Sequence, residues 1–378
     1  MGMGMSIRIW LLALVITLQF AAVAQASLAV GGLQQTLNEY AGKIGPGVIV
    51  GIDRGGRQWF GLAGVADLET GRAMSVQDQV RLASISKTFT AILTMKLAEE
   101  GRLSLSDTVE KWLPGKIANG NAITVGMLLN HSGGLNDKYM ETPFLESLRN
   151  QGAKAWTTAE MVQAIASANT DPKPGTTASY SNAGYYLLGV IAEAASGERV
   201  NDALTKRFFR PAGMSRTALL RDGTLTAPFA HGYTDIELDG TAIKNLNTTN
   251  MNLSWDWTAG SAVSTAADMV NGIRALVSGQ VVPDETFRQM VTPAGPDTRN
   301  GYGAFGYGIM VSAKDGVPVL YFHEGQSTGM NTGWYYDIAT DTVIFINVNH
   351  LSYLSDEEAM QQIAMLRALM KQVLLHTR

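Results

Sequence analysis

The chain has 378 residues, 46% hydrophobic and 16% charged, with a formal net charge of −4 and no cysteine. That length builds one large domain or two closely associated ones. The mild, unclustered charge argues against nucleic-acid binding, the missing cysteine excludes disulfides and a lipoprotein anchor, and 40 glycines suit a loop-rich enzyme better than a helical bundle.

Residues 1–26 read as a secretory signal. Arg8 supplies the positive start, Ile9 through Ala22 the apolar core, and Ala24-Gln25-Ala26 a small-x-small cleavage site. The expected mature chain is periplasmic or secreted, with no stable membrane span after cleavage. An uncleaved anchor is the competing reading, although the apolar run is short for a span and carries Gln19. Leu33 to Lys43 predicts a short helix. Val48 to Asp53 and Trp59 to Val65 predict two strands joined by a turn at Arg54-Gly55-Gly56.

Ser84-Ile85-Ser86-Lys87 follows and opens a helix in which Phe89, Ile92, Leu93 and Leu97 share one face, ending at Gly101. Lys87 at i+3 lies on the same side as Ser84. A serine hydroxyl becomes a good nucleophile when a neighbouring base takes its proton, and a partly buried, neutral lysine is such a base. Alone, the tetrapeptide also fits a Ser N-cap followed by a solvent-facing Lys.

From there to about residue 275 the pattern is mostly helical with long loops. Helices are predicted over Val125 to Asn130, Thr158 to Asn169, and Ala183 to Ala195 with Gly197 as terminator. Tyr180-Ser181-Asn182 sits just before the last of these, where a tyrosine hydroxyl can project into a cleft and an asparagine amide can both donate and accept. The competing reading makes Tyr180 a packed surface aromatic and Asn182 an N-cap.

After residue 275 the character changes to strands over Gly306 to Val311, Val317 to Phe322, Asn331 to Tyr336 and Thr342 to Val348, closed by a helix from Asp356 to Leu375. His323-Glu324-Gly325 follows the second of these strands. A polar side chain beside glycine can line a cleft there, while a lone histidine equally fits a structural role. Early and late strands around a helical middle imply an α/β (α+β) fold, with one antiparallel sheet built from both chain ends and flanked by helices. The expected sheet subdomain spans about 27–100 and 275–378, and the inserted, mainly helical subdomain about 101–274.

Ser84-x-x-Lys87, Tyr180-Ser181-Asn182 and His323-x-Gly325, in that order, resemble the serine β-lactamase and penicillin-binding protein family. The closer likeness is to the branch of class C β-lactamases, soluble D-alanyl-D-alanine carboxypeptidases and related esterases. Ile123 to Leu135, Pro174-Gly175-Thr176 and Trp257 to Met269 carry the same likeness, so it spans the expected mature chain. The resemblance implies acylation of Ser84, with Lys87 and Tyr180 sharing the general-base role and Tyr180 protonating the leaving group. It implies that Asn182 orients Lys87 and the substrate amide, and that His323 meets the substrate carboxylate or the Tyr180 hydroxyl. The N–H groups of Ser84 and Gln326, beside Gly325, would hold the oxyanion. No cofactor and no metal is implied.

A histidine opening the third motif, in place of the lysine usual in class C enzymes, favours a D-alanyl-D-alanine carboxypeptidase acting on peptidoglycan peptides. A β-lactamase, an esterase or a D-amino-acid amidase of the same fold remain alternatives, each with a small-molecule or peptide substrate. So does a non-catalytic penicillin-binding sensor. Gly325-Gln326-Ser327-Thr328-Gly329 matches a nucleophile elbow, but that motif needs a following helix where Met330 to Tyr336 predicts a strand. The five histidines are scattered without metal-ligand spacing, and His131 reads as a loop brace.

Overall fold

The computed structural model describes residues 32–150, 152–293, 304–327 and 329–377; the expected signal segment lies outside the described residues. The chain opens with α1 (Leu33–Tyr40), β1 (Gly47–Arg54), β2 (Arg57–Gly64), β3 (Val80–Arg81) and α2 (Ser86–Glu99). The middle carries α3 (Val109–Trp112), α4 (Val125–Leu129), α5 (Glu141–Arg149), α6 (Thr158–Ala168), α7 (Asn182–Ser196) and α8 (Val200–Leu204). Next come β4 (Tyr233–Leu238), β5 (Thr241–Asn247), β6 (Val263–Ser264), α9 (Ala266–Val277) and α10 (Asp284–Val291). The last part holds β7 (Ala304–Phe305), β8 (Met310–Lys314), β9 (Val317–Ser327), β10 (Met330–Asp337), β11 (Thr342–Val348), β12 (His350–Ser352) and α11 (Asp356–Thr377).

Among the described residues the main sheet has seven strands in the order β2-β1-β11-β10-β9-β8-β7. Its pairings are antiparallel, and β1 from the start of the chain lies against β11 from its end, Val50 opposite Ile346. Side chains alternate across the pleat, so β1 serves two cores. Val48, Val50 and Ile52 pack with Leu37, Leu366 and Leu369 of the two terminal helices. Ile49, on the other side, joins the core holding Phe89 of α2 and Val270 of α9. Each fully buried aliphatic side chain contributes roughly 1.5–3 kcal/mol of burial free energy. The sheet from both chain ends, flanked by helices, is therefore present. Helix α9 packs on β1 and β11, so chain preceding residue 275 also covers the sheet.

Two elements differ from expectation. The strand expected over 306–311 exists only at its end, because Gly306 to Ile309 make a tight turn with Gly308 at φ +67°. That turn presses on α2: a Cβ on Gly308 would lie 2.5 Å from Ala91 Cβ, and the Gly308 carbonyl accepts from Thr88 Oγ1 at 2.8 Å. Close helix contact overrides strand propensity there. The middle also holds a β4–β5 hairpin, turning at Asp239-Gly240 and joined in parallel by β12, in a region expected to be mostly helical. β5 is largely exposed and polar, so it carries little hydrophobic alternation to read.

α2 is enclosed on nearly every side rather than along one face. Its buried threonines are satisfied: Thr90 Oγ1 donates to the Thr258 carbonyl at 2.8 Å and Thr94 Oγ1 to the Thr90 carbonyl at 2.8 Å. This buried, fixed rod carries Ser84 at its N-terminal approach and Lys87 in its first turn.

Candidate active site

Ser84 stands in a 3-10 turn, Ala83–Ile85, that leads into α2. Ala83 has φ +49°, a left-handed conformation that is strained for a residue with a side chain and sits beside the proposed nucleophile. The turn is pinned by Ser86, whose hydroxyl donates to the Ala83 carbonyl at 2.6 Å and accepts from the Ala262 N–H at 2.8 Å. Lys87 comes one turn later and is fully buried.

Lys87 Nζ lies 3.1 Å from Ser84 Oγ, 2.6 Å from Asn182 Oδ1 and 2.8 Å from the Ala259 carbonyl. Two of those partners are pure acceptors. A neutral amine has two N–H donors and one lone pair, so filling both acceptors leaves the lone pair for the Ser84 hydroxyl. Burial pushes the ammonium down to about 8, against the opposing pull of the Asp256 and Asp137 carboxylates. Asp256 is itself buried and raised to about 6, mainly by desolvation.

Asn182 is the first residue of α7, and Ser181, not Asn182, is its N-cap: Ser181 Oγ accepts from the Gly184 N–H at 3.2 Å. The amide is held in one orientation by Asp137, which accepts from Asn182 Nδ2 at 2.8 Å and from the Asn182 N–H at 2.8 Å. That orientation points Oδ1 at Lys87. A carboxylate at a helix N-terminus is also favoured by the helix dipole.

Tyr180 packs its ring under Lys87, with Nζ 4.8 Å from the ring centroid. Burial drives its phenol well above the ordinary value, with hydrogen bonding to Ser84 acting the other way. His131 clamps it from behind. The rings stack at 4.6 Å, the His131 carbonyl accepts from the Ser179 N–H at 2.9 Å, and His131 Nδ1 accepts from the Ser181 N–H at 3.1 Å. The loop brace thus holds the backbone on both sides of Tyr180. His131 adopts φ +63° and is kept neutral by burial and the nearby Lys87 charge.

β8 ends its pairing opposite Phe322, so His323 to Ser327 of β9 have no strand partner on that side among the described residues. The 3-10 turn of Ser84 fills the gap. A Cβ on Gly325 would lie 2.5 Å from the Leu82 carbonyl and 2.9 Å from the Ser84 nitrogen, so only glycine admits this approach. The same approach brings the β9 edge carrying Gln326 beside the Ser84 N–H. β9 runs to Ser327 and β10 begins at Met330, so a strand follows Gly325 as expected, not the helix that a nucleophile elbow needs.

His323 departs from its expected role at a substrate carboxylate. It is 1% exposed, donates from Nδ1 to the Glu324 carbonyl at 2.6 Å, and is lowered to about 3 by burial and the Lys87 charge. It is neutral at ordinary pH, behind the cleft wall, 6.3 Å from the Tyr180 ring centroid. The cleft, about 330 Å³, is lined by Ser84, Tyr180, Asn182, Phe305, Met310, Glu324 and Gln326. No group of residues fit to hold a metal ion occurs among the described residues, nor any helix long and apolar enough to cross a membrane.

Sequence reasoning missed Asp137, Asp256 and the apolar wall of Phe305 and Met310. It also missed the Ala259 carbonyl, although the stretch from Trp257 to Met269 carried part of the family likeness. A family model described as Beta-lactamase matches residues 33–368. Penicillin-binding protein 4 of Amycolatopsis lactamdurans is 30% identical over 281 residues, 71% of this chain and 71% of that protein. A D-stereospecific amidohydrolase from Streptomyces sp. matches with TM-score 0.73 and 26% identity, over 88% of this chain and 97% of that one. The D-amino acid amidase from Ochrobactrum anthropi SV3 shares the fold with TM-score 0.81 and 24% identity, over 93% and 98%. By sequence motif, sheet topology and family match together, the chain belongs to the Beta-lactamase family.

Proposed function

We propose that the protein is an exported serine hydrolase that opens amide and peptide bonds of D-amino-acid substrates through an acyl-enzyme at Ser84. The observation that carries this reading is the coordination of Lys87. With Asn182 Oδ1 and the Ala259 carbonyl as acceptors, the Nζ lone pair is left for the Ser84 hydroxyl 3.1 Å away. In acylation Ser84 Oγ bonds to the substrate carbonyl carbon while its proton passes to Lys87 Nζ. The oxyanion sits on the N–H groups of Ser84 and Gln326, an arrangement that typically contributes several kcal/mol. Collapse breaks the carbon–nitrogen bond, and the leaving amine takes a proton from Tyr180, which recovers one from Lys87. Water then hydrolyses the ester. Tyr180, held as a phenol by burial, is suited to the acid role, and Lys87 Nζ to that of the base.

The amide reading is supported by the likeness to the Streptomyces amidohydrolase and by a neutral His323, which offers no charge to a terminal carboxylate. The carboxypeptidase reading keeps support from the likeness to penicillin-binding protein 4. Steady-state hydrolysis of D-alaninamide, L-alaninamide and a chromogenic cephalosporin by one preparation tests the proposal. Turnover of the D-amide above the L-amide, abolished by Ser84→Ala, is expected. Turnover of the cephalosporin alone would contradict it.

A further inference from the structure

One carboxylate in the cleft has no part in the mechanism above. Glu324 is 94% buried by its 6% exposure, yet it lines the cleft between Gln326 and the apolar pair Phe305 and Met310. Arg367 of α11 grips it, with Nε 2.8 Å from Oε1 and the terminal nitrogen 2.6 Å from Oε2, and the Tyr335 hydroxyl donates to Oε1 at 3.0 Å. A carboxylate has about four lone-pair sites. The Arg367 Nε hydrogen is shared with Oε2 at 3.1 Å, so three donor hydrogens serve about four sites and the carboxylate can accept one more donor from the cleft.

We infer that Glu324 selects the leaving group: the site takes substrates whose departing amine carries a neutral or cationic hydrogen-bond donor and rejects those that carry a free carboxylate. This rests on the acyl-enzyme reading and deepens it. Tyr180, the acid for the leaving group, stands near Phe305, with ring centroids 6.0 Å apart, so the departing group is seated in the part of the cleft that Glu324 borders. No lysine or arginine lines the cleft among the described residues, and the histidine behind it is neutral. A carboxylate placed there meets the outward oxygen of the Glu324–Arg367 pair, an acceptor it cannot satisfy. A carboxamide or an ammonium donates to the open lone pair while its alkyl part rests on Phe305 and Met310.

The test uses a matched pair, N-acetyl-D-alanyl-D-alaninamide and N-acetyl-D-alanyl-D-alanine, with release of D-alaninamide or D-alanine measured as kcat/KM. The amide should exceed the acid by at least about tenfold. Glu324→Gln removes the anionic acceptor from the cleft and should shrink that ratio about tenfold or more, chiefly by raising turnover of the acid. Arg367→Gln leaves Glu324 unneutralised and should widen it. Opposite shifts from the two partners of one ion pair are not produced by a general loss of folding. A fluorophosphonate that labels Ser84 in every variant, accompanied by a preference for the acid or a ratio unmoved by Glu324→Gln, overturns the selectivity alone. Absence of labelling in the wild-type protein overturns the acyl-enzyme reading and the selectivity with it.

Discussion

The pH dependence of acylation should report the buried amine of Lys87, and Asp256→Asn should move it in a known direction. Burial lowers Lys87 from 10.5 to about 8. At pH 7 this leaves about one molecule in ten with a neutral amine, against about three in ten thousand at the ordinary value, a gain of about 300-fold in competent enzyme. The shift corresponds to roughly 3 kcal/mol in favour of the neutral form. Asp256 opposes it: its carboxylate is the largest influence raising Lys87, and being itself raised to about 6 it is ionised above that pH. Removing the charge by Asp256→Asn should lower the Lys87 inflection by about one unit and bring the rate at pH 7 nearer its plateau. The assay is the single-turnover acylation rate with an activated aryl ester between about pH 5.5 and 9.5. The wild-type rate should climb tenfold per unit and level off near 8. An inflection near 10, or an upward shift in Asp256→Asn, would contradict a desolvated Lys87 amine opposed by the Asp256 carboxylate.

Three further outcomes are expected. His131→Ala removes the acceptor for the Ser181 N–H and the stacking surface of Tyr180, so kcat should fall at least about tenfold with little change in KM. His131→Asn keeps an acceptor and tolerates φ +63°, and should recover part of the loss. Gly325→Ala drives a methyl against the Leu82 carbonyl and the Ser84 nitrogen, and turnover should drop by about 100-fold while the melting temperature falls by only a few degrees. His323, lowered to about 3 from 6.5, binds fewer protons in the folded than in the unfolded chain across that window. Stability should therefore fall as pH drops from about 6.5 towards 3, by up to about 1.4 kcal/mol per unit. Urea titrations at several pH values should show a shallower loss in His323→Gln, which retains a donor for the Glu324 carbonyl.

The parts of this site legible in the sequence were those in which a reactive side chain sits within a short, patterned window. Ser84 and Lys87 were visible because a helix fixes their i, i+3 relation. Tyr180 and Asn182 were visible because a loop meets a helix there. β1 and β11 read as strands because their alternating side chains feed two cores, but only the folded chain puts Val50 opposite Ile346. Asp137 and Asp256 were hidden because their partners lie 45 positions away at Asn182 and 169 positions away at Lys87. The Ala259 carbonyl has no side-chain signature at all. His323 was visible as a motif member, but its neutrality depends on burial, which its neighbours in sequence do not report.

Covalent chemistry at Ser84, driven by Lys87, underlies the proposed hydrolysis. Intact-protein and peptide mass spectrometry after brief exposure to a fluorophosphonate measures it directly. One adduct, on the peptide containing Ser84, is expected in the wild type, none in Ser84→Ala, and one formed at least about 100-fold more slowly in Lys87→Ala. An adduct on another residue, or equal rates with and without the Lys87 amine, would contradict it.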